Sequence, residues 1–331
     1  MKIGAHLLVQ DFPEFIKTAK ALEDNNFARA WVVDSQMLWE DAYIYVALAM
    51  EQTKKITFGS AVSNPITKHY TVPTSAAATF AGLYPGRWIL GMGRGDSAVR
   101  TLGLKPMKTT EMETILRKMQ DLLQGETIDE AGTEIKLRWT DESRKTPLCY
   151  AATGPRNLKI GGAIADIVML QVGTHPASVK WAIENVHQGA EQAGRDPAEV
   201  EISLLCGMWV SDDQALARDK CRWAATCGTN HLEDVMRAGP NHGMPEELVS
   251  MVEVKRDQYD YYEGHLDSQA DHTEYLTDDM VDRFAIAGNV SQCLEKIEEL
   301  ASLGVNEISS AYLNEQYEQI EVVGKQIISK I

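Results

Sequence analysis

The sequence predicts an α/β protein, a (β/α)8 TIM barrel with an insertion before the last strand. Three observations point there. Eight apolar, strand-like runs recur along 331 residues, most of them separated by a helical pattern. The runs are apolar almost throughout rather than alternating, as strands buried on both faces are. Polar or glycine residues follow many of them, at Asp34, Ser63-Asn64, Gly93-Arg94-Gly95-Asp96, Thr153-Gly154 and Gly173-Thr174-His175. A barrel gathers all such strand ends at one mouth. A doubly wound open sheet, the structural alternative, concentrates its site at one switch point.

The first strand is KIGAHLL, residues 2–8. A helix follows over about Pro13–Asn26, with Pro13 at a tolerated early position and Phe15, Ile16, Ala19 and Leu22 in an apolar helical pattern. ARAWVVDS (28–35), KITFGSAVSNP (55–65) and RWILGMG (87–93) are strands two to four, and a long helix covers roughly Lys108–Gln124. TPLCYAATG (146–154), ADIVMLQVG (165–173), VEISLLCGMWV (200–210) and GVNEISSAYL (304–313) complete the eight. Thr226–Thr277 breaks this rhythm, being polar and rich in His, Asp, Tyr and Gly. It reads as a partly helical insertion between strands seven and eight, and such insertions at a barrel mouth commonly become lids. The expectation is one domain over residues 1–331 with a lid at about 226–277.

The formal net charge is −16 and the sequence pI is about 5.0. An acidic chain repels phosphate backbones, which argues against nucleic acid as a partner. No long apolar run and no charged-then-apolar leader is present, so neither membrane nor export is expected. Cys149, Cys206, Cys221, Cys227 and Cys293 are odd in number and contain no C-x-x-C pair. That disfavours a disulfide framework or a zinc ribbon and fits reduced thiols in the cytoplasm. His265, Asp271 and His272 match no metal-ligand spacing, so no metal is expected.

Gly91-Met92-Gly93-Arg94-Gly95-Asp96 lacks the third glycine spacing and the following acidic residue of a dinucleotide fingerprint. Its glycines instead permit a sharp turn close to a ligand. As the end of the fourth strand it forms a wall of the mouth, with Gly93, Arg94 and Asp96 nearest the pocket. Asp96 can equally cap the next helix. Thr153-Gly154 ends a strand where Pro155 starts a helix, and a helix N-terminus there favours an anion such as phosphate. Gly173 and Thr174 offer further donors, with an ordinary tight turn as the bland reading. Ser63 and Asn64 make a polar rim, and Pro65 holds Asn64 extended. His6, in the apolar first strand, faces with Gly4 toward the mouth if alternation holds, where it serves proton transfer near neutral pH or is a structural histidine. Asp34 divides the same way between ligand contact and helix capping.

These pieces together resemble the bacterial-luciferase-like superfamily of flavin and deazaflavin oxidoreductases, and within it methylenetetrahydromethanopterin reductases. The resemblance runs through ALEDNNFARAWVVD, SNPITKH, LYPGRWILGMGRGD, AATGP with IADIVML, AEQAGRDPAEVEI, and DRFAIAGN with KIEELASLGV. It implies a barrel, usually dimeric, with the cofactor ring at the mouth. It implies a non-prolyl cis peptide at Ala61–Val62, bulging toward that ring. It carries cofactor contacts onto Asp34, Val62, Ser63, Asn64, Thr153 and Gly154. Two departures stand out: the reductases' first-strand glutamate is His6 here, and their Asp-His pair after strand two is Asp34-Ser35.

The resemblance implies two activities. The leading expectation is a monooxygenase using reduced FMN on a small organic substrate, supplied by a separate flavin reductase. The alternative is hydride transfer with the deazaflavin coenzyme F420. A cofactor-free ligand-binding barrel is the third reading.

Overall fold

The computed structural model describes residues 1–141, 143–237, 243–246, 248–249, 276–312 and 316–331. Its centre is a closed barrel of eight parallel strands. They are β1 (Lys2–Leu7), β2 (Arg29–Val32), β3 (Thr57–Ser60), β4 (Trp88–Met92), β5 (Leu148–Ala152), β6 (Ile167–Leu170), β7 (Glu201–Leu205) and β8 (Glu307–Ala311). Each expected run contains one of them. The ring closes at β1, where Ala5 stands beside Ala30 of β2 on one side and Ser310 of β8 on the other. The first helix runs Phe12–Asp24, with the Asp11 side chain accepting from the Glu14 amide. The long helix runs Thr109–Leu123.

The barrel interior explains several small residues. Trp31 is fully buried and packs in a cluster with Ile89, Cys149, Ile167 and Met169. Gly59 leaves the room it needs: a Cβ there would lie 2.6 Å from the Trp31 ring. Below it, Arg29 Nη1 donates to Glu307 Oε2 at 2.7 Å and Glu201 Oε1 at 2.6 Å, and Trp31 Nε1 donates to Glu307 Oε1 at 3.0 Å. Burial pushes the Glu307 carboxyl up, and the Arg29 guanidinium opposes that push. These buried strand-start residues fill the N-terminal end of the barrel interior.

Two expectations need correction. The seventh run does not continue as one strand to Val210. It leaves the barrel at Cys206, and Gly207–Val210 forms a separate parallel pair with Ala285–Gly288. Gly207 permits this, because a Cβ there would crowd Cys221 Sγ at 3.0 Å and Ala285 Cβ at 3.2 Å. Nor does an insertion begin at Thr226. A continuous helix spans Gln214–Arg237, held by a buried face that includes Ala217, Cys221, Ala224, Gly228 and Leu232. Residues 238–242, 247 and 250–275 of the expected lid lie outside the described residues, and with them His265, Asp271 and His272.

Candidate active site at the barrel mouth

A cavity of about 830 Å³ opens at the C-terminal ends of the strands. Its floor comes from every second residue of the barrel strands and their extensions: His6, Ala61, Ala151, Met169, Leu205 and Ala311. The period of two that hides Trp31 below therefore presents these small and apolar side chains above. The opposite wall is one stripe of the Gln214–Arg237 helix. Trp223, Cys227, His231 and Val235, four residues apart, all line the cavity.

The first two glycines of the glycine-rich loop are packing positions. A Cβ on Gly91 would lie 1.8 Å from the Ser60 carbonyl oxygen, and one on Gly93 would lie 2.6 Å from Val62 Cγ2. Ser60 Oγ donates to the Gly91 carbonyl and accepts from its amide, both at 2.9 Å. Ser63 N donates to Gly91 O at 3.0 Å, and Gly93 N donates to Ser63 O at 2.9 Å. The first two glycines thus seat the segment 60–63, which carries a cis Ala61–Val62 peptide, against β4. Gly95 has φ 92°, a left-handed conformation that favours glycine.

Behind that segment lies a polar chain. Tyr43 OH donates to Ser63 Oγ at 2.8 Å, Ser63 Oγ donates to Asp34 Oδ2 at 2.6 Å, and Lys68 Nζ donates to Asp34 Oδ1 at 2.5 Å. Burial is also the main reason the Tyr43 hydroxyl is pushed well above its ordinary range. Asn64 reaches the cavity, but its amide serves its own loop: Oδ1 accepts from the Ile66 and Thr67 amides, and Nδ2 donates to Thr67 Oγ1.

His6 stands at the cavity floor, 5% exposed, with Nε2 3.1 Å from Ser309 Oγ. Burial pushes its imidazole down to about 3. Near neutrality the ring is uncharged; it can hold a hydrogen bond but does not titrate where proton transfer at pH 7 needs it.

The rim is cationic. Arg94, Arg100, Lys105 and Arg156 line the cavity, and Asp96 is the only carboxylate among the described lining residues. Arg100 Nε donates to Asp96 Oδ1 at 2.7 Å. Arg94 Nε donates to the Met107 carbonyl. Asp96 stands at the N-cap of the short Ser97–Arg100 helix but makes no side-chain cap bond; its oxygens go to Arg100 and to His231 Nε2, 3.2 Å away. Thr153, Gly154 and Arg156 line the cavity where the Pro155–Ile164 helix begins, with no side chain capping its start.

The sequence model of the luciferase-like monooxygenase family matches residues 2–307. The chain belongs to that family. It is 28% identical to the 5,10-methylenetetrahydromethanopterin reductase of Methanopyrus kandleri over 99% of this chain and 98% of the relative. The structure of the coenzyme F420-dependent tetrahydromethanopterin reductase from the same organism superposes with a TM-score of 0.78 at 22% identity, covering 99% of both chains. The FMN-bound oxygenating constituent of 3,6-diketocamphane monooxygenase from Pseudomonas putida gives 0.69 at 16% identity, over 100% of this chain and 99% of that one. This luciferase-like chain is therefore an oxidoreductase.

Most of the expected site residues of this family member meet at one place. His6, Ala61, Val62, Asn64, Gly93, Arg94, Asp96, Thr153 and Gly154 all line the cavity. Asp34 and Ser63 do not; they stand one layer behind, in the polar chain that fixes the segment 60–63. Gly173 and Thr174 are also outside it. Thr174 N donates to Arg283 O at 2.6 Å, and a Cβ on Gly173 would lie 2.5 Å from the same oxygen, so this loop packs on the approach to Ala285–Gly288. Residues the sequence reading missed include Trp39, Arg100, Lys105, Arg156, Gln171 and the stripe from Trp223 to Val235. The four-residue spacing W-x3-C-x3-H-x3-V was the available signal for that stripe, and the border drawn at Thr226 cut through it.

Proposed function

We propose that this luciferase-like oxidoreductase uses coenzyme F420 to move hydride to or from a small organic substrate. One observation carries this order of preference. Among the described residues, the acidic chain gathers four cations and a single carboxylate around its cavity, and the cations come from two separate stretches, residues 94–105 and Arg156. An FMN side chain ends in one phosphate, which one cationic site serves. A deazaflavin side chain spreads phosphate and carboxylate charges along its length, which suits a dispersed set. Among the described residues Lys105 and Arg156 have no ion-pair partner, so both are available to an anion.

The residues fit such a group. Ala61, Val62, Ala151 and Met169 offer an apolar bed for a planar ring, and the uncapped Gly154 helix start with Arg156 offers backbone amides and charge to a phosphate. The bound deazaflavin supplies a hydride acceptor and donor. The chain orients it: Asp34, Tyr43 and Lys68 hold Ser63, and through it the floor at Ala61–Val62. Trp39 and Trp223 exclude water. The relatives named above support this reading, one a reductase and one F420-dependent. The reduced-FMN monooxygenase remains the second reading, favoured by the apolar floor that would shield a reactive group from water; only that reading calls for a partner flavin reductase.

Titrating purified protein with F420 and with FMN, followed by absorption and fluorescence, tests the choice. F420 is expected to bind and FMN to bind at least tenfold more weakly, with K105A/R156A weakening F420 binding and flattening its salt dependence. Tight FMN binding without F420 binding would overturn it.

We also propose a homodimer. Ile44 and Leu48 on the Ala42–Gln52 helix and Val72 and Leu83 on the Thr71–Leu83 helix are large apolar side chains left 45–65% exposed. Five free, buried cysteines fit a reducing, cytoplasmic setting, and no described helix is long and apolar enough to cross a membrane.

A further inference from the structure

One imidazole–carboxylate pair in the cavity has no part in the hydride-transfer reading as stated. His231 Nε2 lies 3.2 Å from Asp96 Oδ2, and both side chains line the cavity. Asp96 Oδ1 holds Arg100 Nε at 2.7 Å. A carboxylate in such an ion pair only accepts hydrogen bonds. The hydrogen of this contact then belongs to His231 Nε2, which leaves Nδ1 as the ring atom turned to other partners. No described residue takes Nδ1 up. An imidazole whose far nitrogen is anchored by a carboxylate is held in one tautomer and orientation.

His6, the other imidazole lining the cavity, stands on its floor. It is buried and bonded to Ser309. A neutral imidazole can hold an oxygen by hydrogen bond without exchanging a proton. The cavity therefore presents two imidazoles, one buried against Ser309 and one oriented by a carboxylate. A hydroxyl on the carbon that yields hydride needs a nearby group to accept its proton, because that proton must leave as the hydride does.

We propose that His231, oriented by Asp96, takes the hydroxyl proton of an alcohol substrate, so that the cavity interconverts a hydroxyl and a carbonyl. This rests on the deazaflavin reading above. In the oxidising direction the C–H bond breaks and its hydrogen passes with both electrons to the oxidised deazaflavin. The O–H bond breaks, its proton goes to Nδ1, and its electron pair forms the second C–O bond. The alcohol loses two hydrogens and two electrons; the imidazolium returns its proton to water at the mouth. In reverse, the imidazolium donates to the oxygen of a carbonyl. Asp96 is a positioning residue, acting through His231. Trp39 and Trp223 provide apolar surface for the carbon skeleton.

The experiment has two arms. First, ¹⁵N-histidine NMR of the protein without cofactor reads the tautomer of His231, assigned with H231Q. The Nε2–H form is expected, with mixed tautomers in D96N; an Nδ1–H form, or a D96N spectrum unchanged at His231, overturns the proposal. Second, F420-saturated protein is assayed with 2-propanol, cyclohexanol and benzyl alcohol, and in reverse with their carbonyl forms and reduced F420. Turnover of at least one couple is expected. H231Q should lower kcat by about 10²-fold or more while F420 affinity stays within about twofold, and imidazole should partly rescue H231A. Wild-type protein that binds F420 but converts none of the couples, or H231Q with unchanged kcat, overturns it. Failure of F420 to bind wild-type protein instead overturns the cofactor reading, and is distinguished by the first arm.

Discussion

At the residue scale, His6 shows how tertiary burial decides chemistry. Period-two alternation in GAHLL was enough to aim its side chain inward at the strand end, and it lines the cavity. Its charge state was not legible, because desolvation is set by Trp31, Ser309 and the floor of the barrel, all distant in sequence. The folded imidazole sits at about 3 against an ordinary 6.5. In the unfolded chain it takes a proton as pH falls below 6.5; in the folded chain it does not until about 3. Its contribution to stability is thus complete above pH 6.5 and is lost as pH falls toward 3, at no more than about 1.4 kcal/mol per pH unit. H6Q is expected to flatten the acid limb of stability by that slope, measured by urea unfolding at pH 7, 5.5 and 4. An acid limb identical to wild type would show that His6 is not buried neutral.

At the scale of elements, the strands were legible because apolar runs ended by glycine or polar residues mark a parallel barrel. What the loops do was less so. Gly91 and Gly93 looked like ligand-facing glycines, yet the neighbour that needs their missing side chains is the chain at 60–63. A sequence shows that a close approach is needed but not by what. G91A is expected to cost about 2–3 kcal/mol or more in urea unfolding, since backbone rather than a movable side chain stands in the way. It should also weaken cofactor binding by shifting Ala61 and Val62; wild-type stability would contradict the packing described. The wall helix was missed because its polar composition near His231 reads as loop until the four-residue spacing of its cavity face is counted.

At the scale of the whole molecule, the exposed apolar faces of the Ala42–Gln52 and Thr71–Leu83 helices give the proposed dimer a definite test. I44E/L48E should run as a monomer in sedimentation at concentrations where wild type is dimeric, while keeping its circular dichroism. A wild-type monomer would refute the dimer. The other molecular property is the contrast between a net charge of −16 and a rim where, among the described residues, cations outnumber carboxylates. Far from the surface an anion meets repulsion, and within roughly a Debye length of ~8–10 Å of the mouth it meets attraction. Dissolved ions weaken the distant field more than the near one. The protein therefore behaves as a filter on approach: modest salt hastens the arrival of a polyanion by lowering the outer barrier, and only higher salt loosens its grip once seated.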